Sequence, residues 1–211
     1  MRHRPYLLTR PIGGYGNEQR GEITQDSWCS HLGGRLPLYD REGLTPVQKD
    51  LFDWQMREAV PWAGAAGFQA RTQAGQLIGP FNPALLSPAI SKAFFEFVLA
   101  EHQSTSLSKR DREVIILTVG AAWQAPYELY AHCAVGCHVG LSDDEVRTLA
   151  EGGLPQDLSD TETVAHCVAR ALSLEHRLDD ALYREAEKCS APRGSWTPLY
   201  LPVFITPCVP S

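Results

Sequence analysis

Two titratable side chains, Glu128 and His132, stand four residues apart in the sequence. On a helix this spacing places both on one face, and at about 100° per residue the same face continues into the apolar Val135 and Val139. Glu113 lies on the preceding predicted helix, also on a mostly apolar face. An imidazole whose charge is tuned by carboxylates is what general acid–base catalysis near neutral pH requires.

The two helices that carry these residues are joined by the short link Gln124-Ala125-Pro126, which predicts antiparallel neighbours whose polar side chains meet. Three interpretations stay open at this point: an acid–base site, a buried cluster whose charges only satisfy one another, and a metal site with Glu128 and His132 as ligands. Because no second His–carboxylate pair follows on another helix, the sequence favours no metal.

A capping residue followed by helical periodicity recurs along the chain. Ser142 with Glu145 and Ser159 with Glu162 have the spacing of capping boxes. No alternating strand pattern of useful length appears. The sequence therefore predicts an all-α fold of six to seven helices, near 45–60, 87–103, 108–124, 126–139, 142–151, 159–176 and 179–188.

The chain divides into three parts. Residues 1–40 lack sustained periodicity and are predicted to be a loosely ordered N-terminal extension. Residues 41–188 form the predicted helical domain. Residues 189–211 are a Pro-rich C-terminal tail, in which four prolines among the last fourteen residues exclude a helix.

Composition narrows the classes of partner and compartment. The chain has 211 residues, 19 Lys and Arg against 25 Asp and Glu, and a net charge of −6; without clustered basic residues we expect no nucleic-acid partner. The apolar stretch 114–123 is about half a membrane span, so we expect no membrane insertion. Six cysteines without a Cys-x-x-Cys pair indicate reduced thiols and a cytoplasmic location.

The order and spacing of several segments resemble a known family. The segments 107–117 (LSKRDREVIIL), 127–132 (YELYAH) and 140–146 (GLSDDEV), with Gly-Pro-Phe-Asn upstream at 79–82, are similar to the carboxymuconolactone decarboxylase family of the alkylhydroperoxidase D-like superfamily. The resemblance covers residues 36–188. It implies an alkylhydroperoxidase D-like helical domain.

The resemblance also implies site residues and an activity. The Glu-x-x-x-His pattern of the family falls on Glu128 and His132, and its upstream glutamate falls on Glu113. Those three residues would be catalytic, in a lyase that decarboxylates a small carboxylated or lactone-type substrate. The family needs no metal or organic cofactor, and its members usually assemble as trimers or hexamers, which implies a homo-oligomer here.

Two departures from the family leave alternative functions open. The Cys-x-x-Cys of its peroxidase branch falls on Ala125 and Glu128, and a Pro-rich tail replaces the usual further apolar helix after Lys188. A peroxide reductase would have to use Cys133 or Cys137, which helix geometry places off the face of the acid–base residues. A non-catalytic oligomeric binding protein of the same fold is the third alternative.

Three further residues are candidates for substrate binding. Trp123 and Tyr127 flank the turn beside the predicted site and are positioned to line a substrate pocket. Arg110 lies one turn before Glu113 and would grip a substrate carboxylate or form a salt bridge with Glu113. His166, in a later helix, is interpreted as structural.

Overall fold

The computed structural model describes residues 36–189 of the chain. A 3-10 turn at Arg41–Gly43 precedes the helices, and within the described residues the only β structure is an isolated bridge between Arg71 and Leu77. The all-α fold class is confirmed. Eight α-helices follow one another over this range: α1 Pro46–Ala66, α2 Phe81–Ala84, α3 Pro88–Ser104, α4 Lys109–Ala122, α5 Pro126–His138, α6 Asp143–Ala150, α7 Asp160–Leu174 and α8 Asp180–Cys189.

Most of the predicted extension and tail, residues 1–35 and 190–211, lie outside the described residues, and so do Cys29 and Cys208. No helix among residues 36–189 is long and apolar enough to cross a membrane.

Serine caps begin three of the helices as the sequence predicts. In each, the serine hydroxyl accepts a hydrogen bond from the backbone N–H three residues later, and that residue's carboxylate accepts one from the serine N–H. Each cap satisfies backbone donors that the first helical turn leaves free. The pairs are Ser108 with Asp111, Ser142 with Glu145 and Ser159 with Glu162.

Helix α1 is longer than the sequence indicates. A helix ending at residue 60 is the natural expectation because Pro61 has no N–H to donate, yet the helix continues through Pro61 to Ala66. Beyond the proline, Ala63 and Ala66 are both buried. Burial of this last stretch against the core offsets the missing hydrogen bond.

Helix α4 is the central element, with nine of its 14 residues buried. Its apolar side chains contribute to two core clusters, one shared with α5 and α6 and one shared with α7. A Cβ atom on Gly120 would lie 3.1 Å from Leu129 Cδ2, so the glycine permits the close approach of α4 and α5. This close packing sets the distance between the two helices that carry the candidate site.

A short helix that the sequence analysis did not predict, α2, ties the start of the described chain to the core. Asn82 is fully buried; its side-chain amide donates to the Pro37 carbonyl at 3.1 Å, and its Oδ1 accepts from the Tyr39 N–H at 3.2 Å. Residues 36–40 are therefore anchored, although nothing in their sequence has helical periodicity.

Helix α3 packs differently from the others, because none of its 17 residues is buried. Phe95 stacks near Trp54 of α1 and Phe81 of α2, with ring centroids 5.6 and 6.2 Å apart. Elsewhere on this helix Ile90 is 74% exposed and Leu99 is 44% exposed. The homo-oligomer implied by the family resemblance stays a prediction.

Candidate active site

A tight turn brings the candidate residues together. Gln124 adopts a positive φ of 51°, and the Ala125 N–H donates to the Gly120 carbonyl at 2.9 Å. Pro126 then begins α5, where it needs no hydrogen-bond partner. Because the chain reverses over so few residues, α5 returns along α4 and His132 arrives beside Glu113.

His132 lies between two carboxylates. Its Nδ1 is 2.7 Å from Glu113 Oε2, and its Nε2 is 3.4 Å from Glu128 Oε2. The side chains of Glu113, Glu128 and His132 are 4%, 11% and 15% exposed. Glu113 therefore fixes the orientation of the ring, and Nε2 is the nitrogen left for exchanging a proton.

Burial and charge act on this group in opposing ways. Burial lowers the pKa of His132, but the nearby Glu113 and Glu128 outweigh it, so the pKa is raised above its usual value. The pKa of Glu128 is also raised, mainly because burial disfavours its charged form. His132 is thereby favoured as imidazolium, paired with Glu113, while Glu128 more readily holds a proton.

A metal is not indicated by the arrangement of the ligand-type side chains. Among residues 36–189 no group of three or more His, Cys, Asp or Glu side chains is arranged to hold a metal ion. Both ring nitrogens of His132 face carboxylate oxygens at 2.7 and 3.4 Å. A ligating histidine would instead direct one nitrogen at the metal.

Arg110 does not lie at the site. Its guanidinium binds Glu162 Oε1 at 2.6 Å and Glu145 Oε1 at 2.9 Å, and it also donates to the Gly140 carbonyl. The salt bridge to Glu113 weighed from the sequence is therefore wrong, and the guanidinium is occupied by protein carboxylates. Arg110 instead joins the first turns of α6 and α7 to α4.

The two acids that Arg110 binds are held in their charged form. Burial works against ionisation of Glu145, but the Ser142 cap and Arg110 outweigh it and lower its pKa. The same balance, with Arg110 and the Ser159 cap, lowers the pKa of Glu162. These ion pairs give Arg110 a structural part in the helix bundle.

Replacing Arg110 by methionine is expected to lower the free energy of unfolding by about 2 kcal/mol, because two buried carboxylates lose their cation while keeping their caps. A depressed pKa stabilises the fold above the unfolded value of 4.5, and this contribution is lost as the pH falls. The deficit should therefore shrink below about pH 4.5 in urea titrations. Arg147→Met, which breaks an exposed pair with Asp144, is the control and should change stability by less than about 0.5 kcal/mol; equal losses would refute the assignment.

The two aromatic candidates lie in different surroundings. Trp123 ends α4 and is 43% exposed. Tyr127 is buried, and its hydroxyl donates to the Gln69 carbonyl at 3.0 Å. Gln69 lines a cleft of about 560 Å³ between α1 and the following loop, so Tyr127 supports the wall of this cleft. A role for either residue in substrate binding stays a prediction.

The two cysteines of α5 lie in different surroundings from the acid–base residues. Cys133 is packed in the apolar cluster of α4, α5 and α6, and burial raises its pKa to about 12. The Cys137 thiol donates to Asp143 Oδ1 at 3.7 Å. The environment of Cys133 is not that of a reactive thiol.

His166 is a buried histidine whose ring contacts a side chain of α4. Its Nδ1 lies 2.9 Å from Thr118 Oγ1, and its pKa is lowered by burial and by Arg170. It is neutral and shared between α4 and α7, as the structural interpretation from the sequence expects.

Two charged residues beside the site were missed in the sequence analysis. Arg112 Nη1 is 3.6 Å from Glu113 Oε1, and Arg112 also binds Glu101 of α3 through Nε and Nη2, at 3.1 and 3.0 Å. Neighbouring helical residues such as Arg112 and Glu113 point about 100° apart, so face analysis separates them. Glu101 precedes them in another helix, and no spacing rule relates it to the site.

Comparison with known proteins finds a family model that matches the part of the chain containing the site. The sequence profile of the carboxymuconolactone decarboxylase family matches residues 88–171, which include Glu113, Glu128 and His132. The matched region begins with α3 and ends within α7, so the family region contains both helices of the site. The resemblance inferred from the sequence is thus confirmed.

A solved structure shares the fold. It is an uncharacterized peroxidase-related protein from Ralstonia eutropha JMP134, described as an alkylhydroperoxidase AhpD core. The two chains are 16% identical, with 82% of this chain and 84% of that chain covered and a TM-score of 0.61. At this identity the likeness concerns the fold alone. No curated protein matches the chain.

Proposed function

We propose that this protein is a cofactor-free lyase that decarboxylates a small carboxylated or lactone-type substrate by acid–base catalysis. The observation that carries the proposal is the placement of His132, with Nδ1 hydrogen-bonded to Glu113 and Nε2 directed at Glu128. The match of residues 88–171 to the model of the carboxymuconolactone decarboxylase family supports the same reaction class.

The proposed reaction needs a proton donor more than it needs a nucleophile. When the carbon–carboxylate bond of a carboxylactone breaks, its electron pair passes into a dienolate on the lactone carbonyl, and CO₂ leaves. A proton must then reach a carbon of this dienolate. His132 as imidazolium donates that proton from Nε2.

Each carboxylate has a separate part in this proposal. Glu113 accepts the Nδ1–H, which fixes the ring and stabilises the imidazolium. Glu128, whose raised pKa lets it hold a proton, returns a proton to Nε2 after each turnover. Substrate binding in place of water would disfavour the ionised substrate carboxylate and so assist the loss of CO₂.

A peroxide reductase is the second candidate, because the structural neighbour is described as peroxidase-related. Such an enzyme needs a thiolate and a resolving thiol. In this chain Ala125 and Glu128 stand where the family's peroxidase branch has cysteines, and Cys133 is buried with a raised pKa. These observations favour the lyase.

The two functions give different results in one pair of assays. We expect CO₂ release from at least one member of a panel of carboxylactones, with activity retained in Cys133→Ser/Cys137→Ser. We also expect no peroxide consumption above background with a dithiol donor. Peroxide turnover that disappears in the double variant would replace the lyase by the reductase, and ligand binding without any turnover would indicate a binding protein.

A further inference from the structure

A line of alternating charges continues beyond the three acid–base residues. From Glu128 and His132 on α5 it passes to Glu113 and Arg112 on α4, and it ends at Glu101 on α3. Every member is at most 15% exposed in its side chain. Buried charges are costly unless each has a partner, so the pairs at one end of this line affect those at the other.

Glu113 is held through both of its carboxylate oxygens. Oε2 faces His132 at 2.7 Å and Oε1 faces Arg112 at 3.6 Å. A carboxylate with a cationic group on each oxygen has little freedom to rotate. The position of Arg112 therefore determines how Glu113 presents Oε2 to the imidazole.

Arg112 is in turn held by Glu101. Nε and Nη2 both donate to Glu101 Oε2, which leaves Nη1 for Glu113. Among the side chains and backbone of residues 36–189, Glu101 Oε1 is buried without a hydrogen-bond partner, so within this range the carboxylate binds Arg112. Leaving a buried oxygen without a partner is destabilising. In α3 this occurs at Glu101, the residue that reaches toward the site.

We propose that Glu101 is a positioning residue of the acid–base site: it holds Arg112 against Glu113, and its negative charge offsets the positive charge that Arg112 places near His132. Its role in turnover rests on the proposed lyase function. Its effect on the imidazole does not, because that effect requires no substrate.

The charged groups around His132 determine whether its pKa rises or falls when the charge of Glu101 is removed. Glu113 and Arg112 face it from α4 and Glu128 from its own helix, while Glu101 acts from α3 through Arg112. Positive charge on Arg112 opposes protonation of His132. Removing the charge of Glu101 leaves that opposition uncompensated.

The test is an NMR titration of the His132 ring in Glu101→Gln, which keeps the shape of the side chain and an oxygen for Arg112. We expect the pKa of His132 to fall by about one unit. Glu96→Gln, on the exposed side of the same helix where Glu96 pairs with Lys92, should leave it unchanged. An unchanged pKa in Glu101→Gln, or an equal shift in both variants, would overturn the proposal.

A double variant makes the test of the proposal independent of the single variant Glu101→Gln. In Glu101→Gln/Arg112→Gln both opposite charges are lost together, so the pKa of His132 should return toward the wild-type value and lie above that of Glu101→Gln. If the single variant does not fold, the double variant alone carries the test, and a pKa more than about one unit from wild type would overturn the proposal.

The activity of the same variants separates this proposal from the function itself. If the lyase function holds, the alkaline limb of the pH–rate profile should move to lower pH in Glu101→Gln by the same amount as the pKa of His132. A shifted pKa in a protein without CO₂-releasing activity would leave the role of Glu101 intact and refute only the lyase.

Discussion

Replacing His132 by alanine is expected to lower the turnover of the proposed decarboxylation about 10²–10⁴-fold, the usual contribution of one general acid–base group. The variant removes the imidazole that Glu113 and Glu128 hold at 2.7 and 3.4 Å. The rate of CO₂ release at saturating substrate measures the effect. Circular dichroism should show that the helices remain.

The matched control for this variant is His138→Ala. His138 is exposed and lies in the last turn of the same helix, so its loss should leave turnover within about twofold. Near-wild-type rates in His132→Ala, with the helices intact, would remove His132 from the mechanism. A stronger loss in the His138 variant would point to α5 itself rather than to the imidazole.

The wild-type pH dependence follows from the same pair of groups. His132 has to be protonated to donate, and its pKa is raised by Glu113 and Glu128 against the opposing effect of burial. Activity should therefore persist above the ordinary pKa of histidine and fall as the pH passes the raised value. The same proton stabilises the fold, and that contribution also disappears as the pH rises.

Replacing Gly79 by alanine is expected to destabilise the protein by about 4 kcal/mol. Gly79 has a φ of +58°, and a Cβ atom would lie 2.3 Å from Tyr127 Cζ. The left-handed backbone costs about 1–2 kcal/mol for a residue with a side chain, and overpacking adds about 1–3 kcal/mol. Urea unfolding measures the change.

Two further variants distinguish the cost of the left-handed backbone from the cost of the contact with Tyr127. Gly75 also has a positive φ, of +90°, but nothing lies within 4 Å of its added Cβ; Gly75→Ala should cost only about 1–2 kcal/mol. Adding Tyr127→Ala to Gly79→Ala should recover part of the loss due to the clash. Equal effects of the two glycine substitutions would show that the Tyr127 ring moves aside freely.

Most of the helices could be predicted from local signals. Caps such as Ser142 and Ser159 act through atoms within four residues, so the sequence contains the whole interaction. The predicted end of α1 at residue 60 was wrong. Pro61 normally ends a helix because it lacks an N–H, but here the burial of Ala63 and Ala66, through contacts distant in the chain, compensates for the lost hydrogen bond. Helix α2 was missed for the same reason, since Asn82 is held by Pro37 and Tyr39.

In the candidate site, too, some contacts follow from local sequence signals and others depend on tertiary packing. The meeting of Glu113 with His132 follows from one helical face and one short turn, and the structure brings the two side chains together. Arg110 was assigned by distance along α4, whereas its partners Glu145 and Glu162 come from α6 and α7. The salt bridge to Glu113 was wrong because tertiary packing, which position along one helix does not reveal, brings Glu145 and Glu162 to the guanidinium.

Helix α3 buries none of its residues. The free energy of local opening therefore differs between α3 and the rest of the described helices. Segments with few buried apolar contacts separate from a domain at a lower free energy than its core does. When α3 separates, Glu101 leaves Arg112, while α4 and α5 keep Glu113 beside His132. Heating would thus change the acid strength of the imidazole before the molecule melts, and substitutions on the outer side of α3 would tune the reaction without repacking the core.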